Sequence, residues 1–120
     1  MDNLWKTITE LAVTFEASDT ARALSIEEQW TLQVLKIGEE FGEAAQAVVG
    51  VRGTNPRKGQ SHSWEDVHGE VADTAITALV ALARMRPDAA DYFAQQIATK
   101  SSRFLPQQAT FDDAVSSEAS

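Results

Sequence analysis

Five acidic side chains stand out for their type and spacing: Glu39, Glu40 and Glu43, then Glu70 and Asp73. Helical residues advance by about 100° each, so side chains three or four apart share a face. On helices, Glu40 with Glu43 and Glu70 with Asp73 are like-charge pairs, each costing roughly 0.2–0.5 kcal/mol. Carboxylates gathered in a partly enclosed place are costly to ionise unless a cation neutralises them. A donor set made only of oxygen suits a hard divalent ion, Mg²⁺ with Mn²⁺ as a possible substitute. The chemistry that these five residues point to is divalent-metal binding.

The elements that must position them are helices. Ser25 with Glu28 reads as a capping box, and Ile26 to Val49 follows as one long helix closed by Gly50. Ser63 with Asp66 repeats the start signal, and a third helix runs from Trp64 to about Met85. A first helix covers about Asn3 to Phe15 and is broken by Ser18-Asp19-Thr20. Pro87 precedes a fourth, from Asp88 to Arg103. Between the second and third helices lies a loop with three glycines, Pro56, Arg52, Arg57 and Lys58. No alternating strand pattern appears. The expected fold is all-α, a four- to five-helix bundle over residues 1–105, with the site between its two long central helices. Residues 106–120, rich in Gln, Ser, Ala and Asp, are expected to form a flexible acidic tail.

The faces of the central helices sharpen this. On the second, Trp30, Val34, Ile37, Phe41 and Val48 make one apolar stripe, and Leu32 and Leu35 lie nearly opposite. Between them runs a narrow strip of Gln33, Lys36, Glu40, Glu43 and Ala47. The third helix has Trp64, Val67, Val71, Ala75, Ala78 and Leu82 on its main stripe, with Ile76 and Val80 on the far flank. Asp66, Glu70, Asp73 and Thr77 fill the gap. A helix apolar on two sides is central in its bundle or sits in a subunit interface, so a homodimer or homotetramer is expected. The three tryptophans, Trp5, Trp30 and Trp64, are expected in the core.

Composition removes several function classes. The chain has 120 residues, a formal charge of −8 and no cysteine. One domain is expected, without a thiolate metal site or a cysteine nucleophile. The acidic balance argues against a nucleic-acid polymer as partner, since that depends on clustered Lys and Arg. No apolar run reaches the roughly 20 residues that span a bilayer, and no basic-then-apolar leader opens the chain. No membrane association and a cytoplasmic location are therefore expected.

Glu39-Glu40-Phe41-Gly42-Glu43-Ala44-Ala45, followed by Glu70-Val71-Ala72-Asp73, resembles the E-E-x-x-E … E-x-x-D signature of the MazG-like all-alpha nucleoside triphosphate pyrophosphohydrolases. The resemblance covers roughly Ile26 to Phe104. It implies a helical, oligomeric enzyme that cleaves a nucleoside triphosphate between the α and β phosphates, giving a monophosphate and pyrophosphate. It also implies Glu40, Glu43, Glu70 and Asp73 as Mg²⁺ ligands, and Glu39 as the group that orients or deprotonates the attacking water. Lys100 and Arg103 resemble the basic end of the family's last helix, which approaches phosphates. The physical logic agrees, since such cleavage needs charge neutralised on phosphate oxygens and an aligned water. Lys36, on the acidic strip, either pairs with Glu40 and Glu43 or touches a phosphate.

Three other readings compete. The acids form solvated helix faces, as most surface carboxylates do. Glu65-Asp66-Val67-His68 fits one half of a di-iron carboxylate site, but a second Glu-x-x-His is missing from the chain. Finally, a MazG-like domain without catalysis would serve as a nucleotide-binding or interaction module.

Overall fold

Capping chemistry fixes where the long helices begin. In a computed structural model describing residues 2–53, 57 and 59–106, Ser25 and Glu28 close a reciprocal capping box, and Ser63 and Asp66 close another. Each serine hydroxyl accepts from the backbone N–H three residues on, and each acid accepts from the serine N–H. The helices that follow are α2 (Ile26–Arg52) and α3 (Trp64–Met85). They are preceded by α1 (Asp2–Ala21) and followed by α4 (Ala89–Phe104), and the described residues contain no strand. The chain is all-helical.

It divides into two compact units, 1–87 and 88–120. In the first, α3 packs against both α1 and α2. Partners of α2 and α3 run in opposite order: Gln29 and Gln33 bond to Arg84, whereas Ala47 and Val51 cluster with Val67. The pair is therefore antiparallel. Ile8, Ala12 and Val80 form the other buried cluster, flanked by Trp5, Leu11, Leu79 and Ala83. Val80, 1% exposed, is the largest apolar side chain fully buried, a burial worth about 1.5–3 kcal/mol. The second unit contributes α4, whose first turn is entered without a side-chain cap.

Two helix ends differ from the sequence expectation. Helix α1 continues through Ser18-Asp19-Thr20 to Ala21. There the N–H of Leu24 donates to the Asp19 carbonyl, with Ala23 in the left-handed region at φ 63°. Capping carbonyls and the bond from Arg84 to the Asp19 carboxylate hold these polar residues helical. Helix α2 runs past Gly50 to Arg52, and Gly53, at φ 64°, caps it. Gly50 is needed for another reason: the chain returns directly over it, with Ser61 N–H donating to its carbonyl. A Cβ there would collide with the His62 ring.

The faces of α2 are also reversed. Gln33 and Ala47, on the polar strip, are buried against α3, while Val34, Phe41 and Val48 on the apolar stripe are exposed, Phe41 by 65%. Leu32 and Leu35 are exposed as well. On α3, Val67 and Val80 are inside, but Trp64 and Val71 are exposed. The core expectation for the tryptophans thus holds for Trp5 and fails for Trp64. Close approach of α2 and α3 favours the face with the small side chain of Ala47, which packs against Val67, so the bulkier stripe is left outside.

Candidate functional site

The two apolar clusters leave a gap along the α2–α3 seam, and the carboxylates occupy it. On α3, Glu70 and Asp73 lie between Val67 of one cluster and Val80 of the other. On α2, Glu40 and Glu43 lie between Gln33 and Ala47, both buried. Helical spacing thus turns two acidic pairs toward one another across the seam. Glu40, Glu43 and Glu70 each bring a carboxylate oxygen within 4.8 Å of the others.

The electrostatics record the crowding. Burial pushes the Glu70 carboxyl above its usual range, reinforced by a hydrogen bond with Glu43 and the charges of Glu43, Asp73 and Glu40. Glu40 is raised as well, first by burial, then by Glu43 and Asp73, with Lys36 opposing. Asp73, itself exposed, stands outside the tight trio but acts on both. Glu70 Oε2 is fully buried and has no hydrogen-bond partner. A buried acceptor without a donor costs about 1–3 kcal/mol, more when charged, and a cation removes that cost. An orphaned oxygen inside an all-oxygen cluster fits a hard divalent ion. Glu39 is exposed on the adjoining turn of α2.

Lys36 is in no ion pair among the described residues; its ammonium lies 5.7 Å from the Phe15 ring centroid, a cation–π contact. It stands where two cavities meet. One, about 340 Å³, opens from Glu40 and Asp73 between α1, α2 and α3. The other, about 270 Å³, is bordered by Ser18, Asp19, Arg22 and Arg84. Both share Phe15, Gln33 and Lys36.

Beneath them lies a polar network that the sequence reading missed. Arg84, its side chain 3% exposed, donates to Gln33 Oε1 at 2.7 Å, Asp19 Oδ2 at 2.7 Å and Gln29 Oε1 at 3.0 Å. Gln29 Nε2 donates onward to Thr20 Oγ1 and the Leu24 carbonyl, and Gln33 Nε2 to the Thr77 carbonyl. Two glutamines four apart on one face of α2 were the available signal.

Among the described residues, the Glu-x-x-His pattern adds no ligand to the cluster. His68 forms an exposed pair with Glu65 at 3.6 Å, away from the trio, so the di-iron pattern gathers no ligands. Lys100 and Arg103 lie exposed on α4, each 5.9 Å from the Phe104 ring. Of the basic loop, Lys58 lies outside the described residues, as does the expected tail from 107 on. No helix of the described residues is long and apolar enough to cross a membrane. No family model, curated protein or solved structure matches the chain.

Proposed function

We propose that this chain is a Mg²⁺-dependent, MazG-like nucleoside triphosphate pyrophosphohydrolase, cleaving an NTP or dNTP between its α and β phosphates. One observation carries the reading: carboxylates of α2 and α3 converge around the orphaned Glu70 oxygen, beside a ligand-sized cavity. Glu40, Glu43 and Glu70 would hold the ion, with Asp73 completing the set. When bound, Mg²⁺ supplies charge neutralisation on the phosphate oxygens and lowers the pKa of a coordinated water. Glu39 accepts the proton of the attacking water. Lys36, in no ion pair among the described residues, balances phosphate charge.

The exposed apolar residues of α2, Phe41 and Val48 on one flank and Leu32 and Leu35 on the other, support a second copy as their cover. A homodimer or homotetramer buries both flanks of the helix while leaving the acidic strip facing α3.

The test is pyrophosphate release from a panel of canonical and modified (d)NTPs, with and without Mg²⁺ or Mn²⁺. Metal-dependent release with stoichiometric monophosphate is expected. Silence across the panel, with metal bound by calorimetry, would replace the hydrolase with a nucleotide-binding or interaction module.

A further inference from the structure

Of the two cavities, the one that begins at the carboxylates has a composition of its own. Part of its lining is charged, with Glu40, Asp73 and Lys36. Leu11, Phe15, Ile76 and Val80 supply apolar and aromatic walls. Two polar groups interrupt that lining, Gln33 and Thr77, both buried. Ligand sites are commonly built this way, mostly apolar with a few placed polar groups, and about 340 Å³ lies at the small end of their range of roughly 300–1,000 Å³.

The amide of Gln33 is not free to turn. Its oxygen is held by the buried Arg84 guanidinium, so the nitrogen must face the other way, toward the Thr77 carbonyl at 3.4 Å. An amide nitrogen carries two hydrogens, and one is used by that bond. Gln33 lines the cavity, so the second hydrogen is the donor that its amide can offer there. Arg84 is itself locked by Asp19 and Gln29, so the polarity of Gln33 is set from outside the cavity.

We propose that this cavity is the nucleobase site, with Phe15 as its aromatic wall and Gln33 as the specificity-determining donor, which Arg84 positions. The proposal rests on the hydrolase reading only for the direction in which the phosphates run. A planar ring lies against Phe15 and the aliphatic walls, and the sugar leads out past Lys36 to place the phosphates at Glu40 and Asp73. Gln33 donates to an acceptor on the base edge, and a base presenting a donor there is rejected because two donors oppose one another.

Binding and turnover separate the two claims. Titrating the wild-type chain, without added metal, with UMP, CMP, AMP and GMP is expected to shift the Gln33 side-chain amide and Phe15 ring resonances for at least one of them. Phe15→Ala is expected to raise KM about tenfold with kcat nearly unchanged, in keeping with the loss of one base–aromatic contact. Gln33→Leu is expected to compress the kcat/KM ratio between the best and worst bases tenfold or more, which a merely structural defect would not do. Resonance shifts without any hydrolysis of the triphosphates would uphold the base site and remove the hydrolase reading. Hydrolysis with shifts confined to the carboxylates, or an unchanged base ratio in a folded Gln33→Leu, would overturn the base site and leave the hydrolase.

Discussion

The α2–α3 seam contains two polar insertions, and they are resolved in opposite ways. Near the start of α2, Arg84 meets Asp19, Gln29 and Gln33, so a buried cation finds an anion and two amide oxygens within the chain itself, with its Nε alone left without a partner. Two turns further along, Glu40, Glu43 and Glu70 meet each other, with no cation among the described residues to pair them and one oxygen left without a donor. A buried charge that finds its counter-charge within the chain is part of the fold's specificity; like charges gathered without one point to something bound. The difference assigns a structural role to the first and a functional one to the second.

The largest effect expected is on turnover. Glu70→Gln keeps the shape of the side chain and removes its charge, and turnover should fall at least a hundredfold, about 3 kcal/mol in transition-state stabilisation, with helical circular dichroism intact. Near-normal hydrolysis by this variant would make the carboxylate cluster a mere charged seam.

At the other insertion the effect should fall on stability. Arg84→Met removes the buried guanidinium that Asp19, Gln29 and Gln33 share and leaves Asp19 only the exposed Arg22 at 3.8 Å, and breaking a buried pair costs up to about 3–5 kcal/mol, read as a lower denaturant midpoint. A double-mutant cycle of Arg84→Met with Asp19→Asn should recover part of that loss. Additive losses would mean that the pair is not coupled and that the contrast between the two clusters is overdrawn.

A smaller effect appears in the pH dependence of metal-free protein. Glu40 and Glu70 titrate above the usual carboxylate range when folded. Between the unfolded and folded values the native state holds more protons, so their contribution to stability falls as pH rises through that window and levels off above it. Glu28 and Asp66, depressed by bonds to Ser25 and Ser63, act in the reverse sense: their contribution is present above the ordinary carboxylate value and lost as pH falls through the folded one. Glu70→Gln should therefore raise the metal-free Tm at neutral pH relative to wild type, with the gain shrinking in mild acid. Added Mg²⁺ should raise the wild-type Tm and move that of the variant much less. A gain independent of pH would separate the variant's effect from the titration of Glu70.

The smallest change expected lies in the caps. Ser25→Ala removes the hydroxyl that accepts from Glu28 N–H and should cost about 1 kcal/mol, read by chemical denaturation, without altering metal binding.

Much of this was open to inspection in the sequence. The capping boxes at Ser25 and Ser63 located both central helices, because their bonds span only three residues. Helical periodicity placed Glu40 beside Glu43 and Glu70 beside Asp73 for the same local reason. What local spacing does not contain is which face of a helix its neighbour takes. The apolar stripe of α2 looked like the interior, yet the strip with Gln33 and Ala47 is the side that meets α3.

The sequence by itself determined that the chain is helical, where its long helices start, and that its acids come in pairs. Only the tertiary structure decided that the pairs face each other, that Asp19 belongs inside α1, and that Arg84 fixes the amide of Gln33. Those outcomes depend on contacts between residues 44 to 65 positions apart, which periodicity within one helix cannot encode.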